Sequence, residues 1–324
     1  MLLYDFPFAQ KGIGDANSIK IILRANQKFL PMTDSDLEML QEIKGGAENL
    51  GIWATPTLIF KLLGINTGWI KENLEMGRTR EDLIAEEEFS SNHANSELQG
   101  SIAAFRKLQQ ISISRSVKLL IPFKHLAVTY KHPILNKKLV QLISVSERAK
   151  GAPLAKILEG ENLPNFISLL GKRIAEFHLA TIKYDDSSDS AEERLSDLPS
   201  YVRKLKAQLH GDLQPNNIFL NGETVELIDC EAFGRLRKLP VVLEIVYFLV
   251  ALERILLANG KNPHMEYFFE FLKVNFITSY FNQLSESKKW GEIQLQKLES
   301  IKHFVFDAYN NLKNKAEILR NPVD

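Results

Sequence analysis

An α+β chain of two lobes is the fold this sequence predicts. Three observations carry it: strand-like apolar runs lie mainly before Val145, helical apolar periodicity lies mainly after it, and 324 residues suffice for two cores. The expected division is a small, mainly β lobe over 1–145, with an extra segment over about 1–35, and a larger helical lobe over 146–324. A cleft between such lobes is a common place for a nucleotide.

The elements follow in order. From Asp15 to Leu30, Ile19, Ile21, Ile22, Leu23 and Phe29 recur at mostly helical spacing, with Asp15 or Asn17 as N-cap. From Asp36 to Lys44 the apolar pattern suits a strand (Leu37, Met39, Ile43) or a helix (Leu37, Leu40), and periodicity does not choose. Gly45-Gly46-Ala47-Glu48-Asn49 is a turn-forming loop before Leu50 to Ala54, and the Thr-Pro-Thr turn at 55–57 leads into Leu58 to Leu63. These read as strand, glycine turn, strand, tight turn, strand. The polar stretch Arg78 to Ser96 predicts at most a short helix, Arg80 to Phe89, before a separate helix from Ser96 to Gln110. Val117 to Tyr130 and Leu139 to Val145 are expected strands, and Ser146 to Gly151 a hinge. Leu163 to Lys183 is an amphipathic helix, Asp185 to Ser196 an acidic, Ser-rich mobile loop, and the chain after the hairpin that ends at Asp229 is expected to be wholly helical to its end.

Composition excludes several classes. An apolar fraction of 45% and a charged fraction of 25% are those of a soluble globular protein. With 40 Lys and Arg against 40 Asp and Glu, no general nucleic-acid or anionic-membrane binder is expected. The single Cys230 rules out an intrachain disulfide framework and suits a reducing, cytoplasmic setting. The first residues lack a basic n-region and apolar core, so no signal peptide is expected. The longest apolar run, Val241 to Ala258, carries Glu244, Glu253 and Arg254 and reads as a core helix rather than a transmembrane segment.

Chemistry concentrates in His210-Gly211-Asp212-Leu213-Gln214-Pro215-Asn216-Asn217 and Leu227-Ile228-Asp229. Four residues separate Asp212 from Asn217, the spacing of a catalytic loop for phosphoryl transfer, in which the Asp accepts a hydroxyl proton and the Asn holds a magnesium ion. Ile218-Phe219-Leu220, the Asn221-Gly222 turn and Thr224 to Ile228 predict a hairpin whose ends bring Asn217 and Asp229 together. An amide oxygen and a carboxylate there suit a hard cation, Mg²⁺. Taken singly, these residue types are ordinary turn formers; the motif joined to the hairpin is what gives the reading weight.

With those residues quoted, the chain resembles the aminoglycoside phosphotransferase and choline kinase-type branch of the protein-kinase-like fold, from about Ile43 to Leu257. His210 to Ile218 is close to that family's H-G-D-L-x-x-x-N-I signature, and Leu227-Ile228-Asp229-Cys230-Glu231 resembles its metal-binding I-D-x-E segment. Ile174 to His178 resembles its helix ending in Leu-His. Leu243-Glu244-Ile245 resembles its later D-L-A segment with Glu for Asp, and both His178 and Glu244 read as structural. The resemblance implies ATP or GTP as co-substrate and a small-molecule hydroxyl as acceptor. Asp212, Asn217 and Asp229 are then catalytic, the last two holding metal. Gly45, Gly46 and Asn49 fall in the phosphate-covering loop, Lys61 contacts the α- and β-phosphates, and Glu97 fixes that lysine, with Glu86, Glu87 and Glu88 as competitors. An edge-strand lysine is the rival reading of Lys61.

Three rivals stand beside this. Val225-Glu226-Leu227-Ile228-Asp229 and the basic run Arg235, Arg237, Lys238 also resemble lipopolysaccharide-core sugar kinases, the basic run meeting an anionic glycolipid or being simply a solvated turn. A bacterial effector kinase acting on a host protein or lipid keeps the chemistry and changes the acceptor. A pseudokinase-like scaffold would bind nucleotide without turnover, against which stand Asp212, Asn217, Asp229 and Lys61. No Ala-Pro-Glu segment follows Asp229, which favours a small acceptor over a protein.

Overall fold

The computed structural model describes residues 4–5, 16–43, 49–63, 67–131, 138–158, 163–184, 195, 198–230, 233, 238–258 and 263–313. Residues 44–48, with Gly45 and Gly46, lie outside these, as do Glu231, Arg235, Arg237 and all of the expected mobile loop but Leu195. Two compact units emerge, one of residues 1–102 and 120–148, the other of 103–119 and 149–324.

The first unit is built on a six-stranded sheet in the order β1-β6-β7-β4-β3-β2. Its strands are β1 (Tyr4–Asp5), β2 (Gln41–Ile43), β3 (Asn49–Ala54), β4 (Leu58–Leu63), β6 (Lys124–Lys131) and β7 (Lys138–Glu147). Only β1 pairs parallel; the rest of the sheet is antiparallel. Side chains alternate across a strand, so Phe60 and Leu62 face one side and Lys61 and Leu63 the other. The first side is covered by α1 (Ala16–Asn26) and α2 (Asp34–Glu38): Ile19, Ile22, Leu23 and Leu37 join Trp53, Phe60, Val128 and Ile143 in one apolar core. Thr33 opens α2 with a reciprocal cap to Asp36, which settles the ambiguous 36–44 stretch as a short helix followed by β2.

Two expectations are corrected here. The polar stretch after Arg78 is helical throughout, and α4, after α3 (Thr67–Glu75), runs unbroken over Arg80–Gln110. Thr79 starts it by exchanging hydrogen bonds with Asp82. The segment from Val117 to Tyr130 is two strands, because Pro122 lies between them and has no N–H to offer a ladder. Only the second of these, β6, joins this sheet; β5 (Val117–Leu119) belongs to the other unit.

The second unit is mainly helical. Its longer helices are α6 (Leu163–Leu179), α8 (Val241–Ala258), α9 (Pro263–Ser285) and α10 (Glu292–Leu312), with short α5 (Leu154–Ile157) and α7 (Ser200–Lys204). The chain after the hairpin is not helix alone, as expected from the sequence: a two-residue β13 (Leu239–Pro240) precedes α8 and pairs with β10 (Leu205–Ala207), which also pairs with β9 (Lys183–Tyr184). Every residue of α8 from Val241 to Val250 is buried, so this helix is the unit's centre. α6 and α9 cross closely at Gly171, where a Cβ would sit 2.6 Å from the Phe276 carbonyl oxygen; only glycine allows that approach. α10 seals the unit with Leu298, Ile301, Val305, Tyr309 and Leu312, a stripe at helical spacing. Among the described residues no helix is long and apolar enough to cross a membrane.

A small sheet in the order β5-β12-β11-β8 presents the chemistry-bearing hairpin. β11 (Ile218–Asn221) and β12 (Thr224–Leu227) pair from Ile218 with Leu227 to Asn221 with Thr224, and Gly222 takes a φ of 59° in the turn. β8 (Ala152–Pro153) adds to β11, and β5 pairs parallel with β12. Buried Glu226 fixes the approach of β8, accepting from the Lys150 and Gly151 amides at 2.6 and 3.2 Å.

Candidate active site

The loop between β10 and β11 closes on the far end of the hairpin. Gly211 takes a φ of 91°, which turns the chain after His210. Fully buried His210 donates from Nε2 to the Ile228 carbonyl (2.8 Å) and accepts the Asp212 amide at Nδ1 (3.2 Å). One imidazole thus ties the loop to the strand end. A 3-10 turn at Pro215–Asn217 follows, where the missing N–H of Pro costs nothing. The Ile228 amide then donates to the Asn217 carbonyl at 3.0 Å, so Asp229 follows directly on a residue bonded to Asn217.

The Asp212 carboxylate is held from three sides. Oδ2 accepts from Asn217 Nδ2 (2.8 Å) and Gln214 Nε2 (3.0 Å), and Oδ1 accepts from the Tyr247 hydroxyl at 2.5 Å. Asn217 Nδ2 also donates to the Asp212 carbonyl at 3.0 Å, which orients the amide and leaves its Oδ1 as the acceptor end. Asp229 has a φ of 57°, the only positive φ outside glycine among the described residues. Such a conformation costs roughly 1–3 kcal/mol and recurs where a side chain must be aimed.

Beneath the loop, Glu244 is fully buried on α8. Its Oε1 accepts the Gly211 amide and its Oε2 the His178 Nε2–H, both at 2.7 Å, and His178 Nδ1 accepts the Tyr280 hydroxyl at 2.7 Å. Burial alone would raise the Glu244 carboxyl, but the hydrogen bond from His178, the favourable electrostatics of the His178 and His210 rings and the Gly211 amide outweigh it and leave it below the usual carboxylate value. Burial, and then the Glu244 charge, push the Tyr280 phenol well up. His178 and Glu244 therefore set the loop's backbone rather than face a substrate. Cys230 is buried beside His210, its thiol on the Leu227 carbonyl at 3.3 Å. Glu253 is engaged elsewhere, accepting from Tyr309 (3.1 Å) and Lys313 (2.8 Å).

In the first unit Lys61 is half-buried on β4, which has β7 and β3 on its two sides, so it is not an edge-strand lysine. Its cross-strand neighbours are Ile52 and Ser144, and His125 lies opposite Ser144 on β6. α4 covers this face through Leu98, which packs on Leu63, Ala127 and Leu142. Glu97 precedes Leu98 on that helix, but its side chain, like those of Glu86, Glu87 and Glu88, is outside the described ones, as is that of Asn49. His125 has its Nε2 buried without a partner, and burial pulls its pKa down to about 4.

Sequence reading did not find Tyr247 or Gln214. The available signal was spacing: Tyr247 is three residues after Glu244, so both lie on one face of α8. Among the described residues no three His, Cys, Asp or Glu side chains converge on a metal position. Asn217 Oδ1 and the Asp229 carboxylate are nonetheless hard oxygen donors of the kind Mg²⁺ takes when phosphate and water complete its shell.

No protein-family profile matches the chain, and no curated protein does. Solved structures are similar over nearly its whole length. The amicoumacin kinase hAmiN is 14% identical, over 93% of this chain and 95% of its own, at a TM-score of 0.46. The macrolide 2'-phosphotransferase MphH of Brachybacterium faecium is 10% identical, over 96% and 99%, at 0.41. A choline kinase of Cryptosporidium parvum is 10% identical, over 94% and 98%, at 0.36. Identities and TM-scores this low carry no function across, so the chain's own residues must support the functional reading.

Proposed function

We propose that this chain is a phosphotransferase that moves the γ-phosphoryl group of ATP, or GTP, to a hydroxyl of a small molecule. The observation that carries the reading is Asp212 fixed by Asn217 in a loop whose far end is bonded to the segment bearing Asp229. Asp212 orients the acceptor hydroxyl and takes its proton. The oxygen–phosphorus bond forms as the bond to the β–γ bridging oxygen breaks, and the nucleoside diphosphate leaves. Asn217 Oδ1 and Asp229 would hold Mg²⁺, which when bound neutralises phosphate charge. Lys61 contacts the phosphates, Glu97 steadies it, and the backbone around Gly45, Gly46 and Asn49 covers them. Most of the rate comes from placement and charge neutralisation. The acceptor is a small molecule and the setting cytoplasmic, which suits a lone, buried Cys230. Thermal unfolding with ATP tests the reading through linkage. A rise in unfolding temperature that needs Mg²⁺ is expected; no rise with any purine triphosphate overturns it.

A further inference from the structure

The Tyr247 hydroxyl stands where an acceptor hydroxyl should stand. A general base must lie within hydrogen-bond reach of the hydroxyl it deprotonates, about 2.6–3.2 Å. Asp212 has two oxygens. Oδ2 is taken by the side-chain amides of Asn217 and Gln214, so Oδ1 is the one left to receive a hydroxyl. Tyr247 holds it at 2.5 Å, the length of a hydroxyl bound to a charged oxygen. The phenol is not a loose side chain that drifted there. It is 5% exposed, on the central helix α8, one turn from Glu244, which grips the adjacent Gly211 amide. One helix face therefore clamps two consecutive loop residues, the backbone through Glu244 and the carboxylate through Tyr247.

We propose that Tyr247 is an internal stand-in for the acceptor: it masks Asp212 Oδ1 until a substrate hydroxyl displaces it. This rests on the phosphotransfer reading above. A bound acceptor has further contacts with which to compete for Oδ1. Water has none, so the phenol suppresses wasteful hydrolysis. In that side reaction the water oxygen would bond to the γ-phosphorus and the bond to the β–γ bridging oxygen would break. The water proton would pass through Asp212 to solvent, and nucleoside diphosphate and inorganic phosphate would leave.

Phosphate release from Mg-ATP without any acceptor tests this. Tyr247→Phe keeps the ring and deletes the hydroxyl, and Tyr247→Met is a second variant lacking it, with a side chain that adapts to the space. Acceptor-free hydrolysis should rise roughly tenfold in either, the scale set by losing one hydrogen bond to a charged group. The rise should vanish in Asp212→Asn combined with Tyr247→Phe. Carbodiimide labelling of Asp212, read by peptide mass, gives a readout without turnover and should be faster in the folded single variant. Hydrolysis that falls or stays level in a variant that still binds Mg-ATP overturns the proposal, as does a rise that survives Asp212→Asn. A wild type that binds no Mg-ATP overturns instead the phosphotransfer reading beneath it.

Discussion

Glu244→Gln changes one buried atom pair and should be felt across the loop that bears Asp212. Glu244 accepts two hydrogen bonds, from the Gly211 amide and His178 Nε2, each at 2.7 Å. Glutamine offers one acceptor and one donor. If its oxygen keeps Gly211, its NH₂ meets His178 Nε2. The imidazole must then move its proton to Nδ1, and the Tyr280 hydroxyl, now receiving a bond, loses the ring nitrogen it gave its own to. One buried polar group is unsatisfied on any arrangement, a cost of about 1–3 kcal/mol. That corresponds to a fall of roughly 3–10 °C in unfolding temperature for a unit of this size. Glu244→Ala, which strands both partners, should cost about 3–5 kcal/mol. Acid adds a second signature. The folded carboxyl lies below its unfolded value of 4.5, so its contribution is complete above that pH and fades as pH falls through the lower folded value; Gln removes this slope. Thermal melts across pH and hydrogen exchange at the Gly211 amide are the assays. A Gln variant that melts like wild type and protects that amide equally refutes the network.

Three further outcomes follow from other positions. Asp229→Asn should weaken the metal-dependent part of ATP binding while the metal-independent part persists, read as thermal shifts with and without Mg²⁺. Lys61→Met should raise the apparent KM for ATP and lower turnover with the fold intact, whereas wild-type kinetics would remove Lys61 from the site. His125 is held neutral, with a folded pKa of about 4 against 6.5, so wild type should lose stability as pH falls from about 6.5 to about 4, by up to about 3 kcal/mol; His125→Gln should flatten that slope, and parallel melts of the two proteins would count against it.

The parts legible in the sequence were those governed by local chemistry. The β11–β12 hairpin is written in Asn221-Gly222 between apolar runs, and α8 in an unbroken apolar stretch with two acidic residues and an arginine. What tertiary contacts decide was not legible. Residues 90–95 are mostly polar and read as a gap between two helices, yet α4 runs through them, because helix once capped at Thr79 propagates cheaply. Glu226 alternates with Val225 and Leu227 as a solvent-facing residue would, but the Lys150 and Gly151 amides bury it. Gly151 permits that approach, since a Cβ there would meet the Leu220 backbone at 2.4 Å. Tyr247 reads as one more apolar core residue; its hydroxyl gains meaning only from how α8 is rotated against the loop.

Phosphoryl transfer from γ-labelled ATP to a panel of sugars, amino alcohols, aminoglycosides and nucleosides, run with wild type and Asp212→Asn side by side, tests the central claim most directly. Asn keeps the size of Asp212 and removes its basic oxygen. Wild type should label at least one hydroxyl, and the variant should do so roughly 10²-fold more slowly or worse, at unchanged Mg-ATP affinity. Equal labelling by both proteins, or a wild type that neither binds Mg-ATP nor labels any hydroxyl, would contradict it.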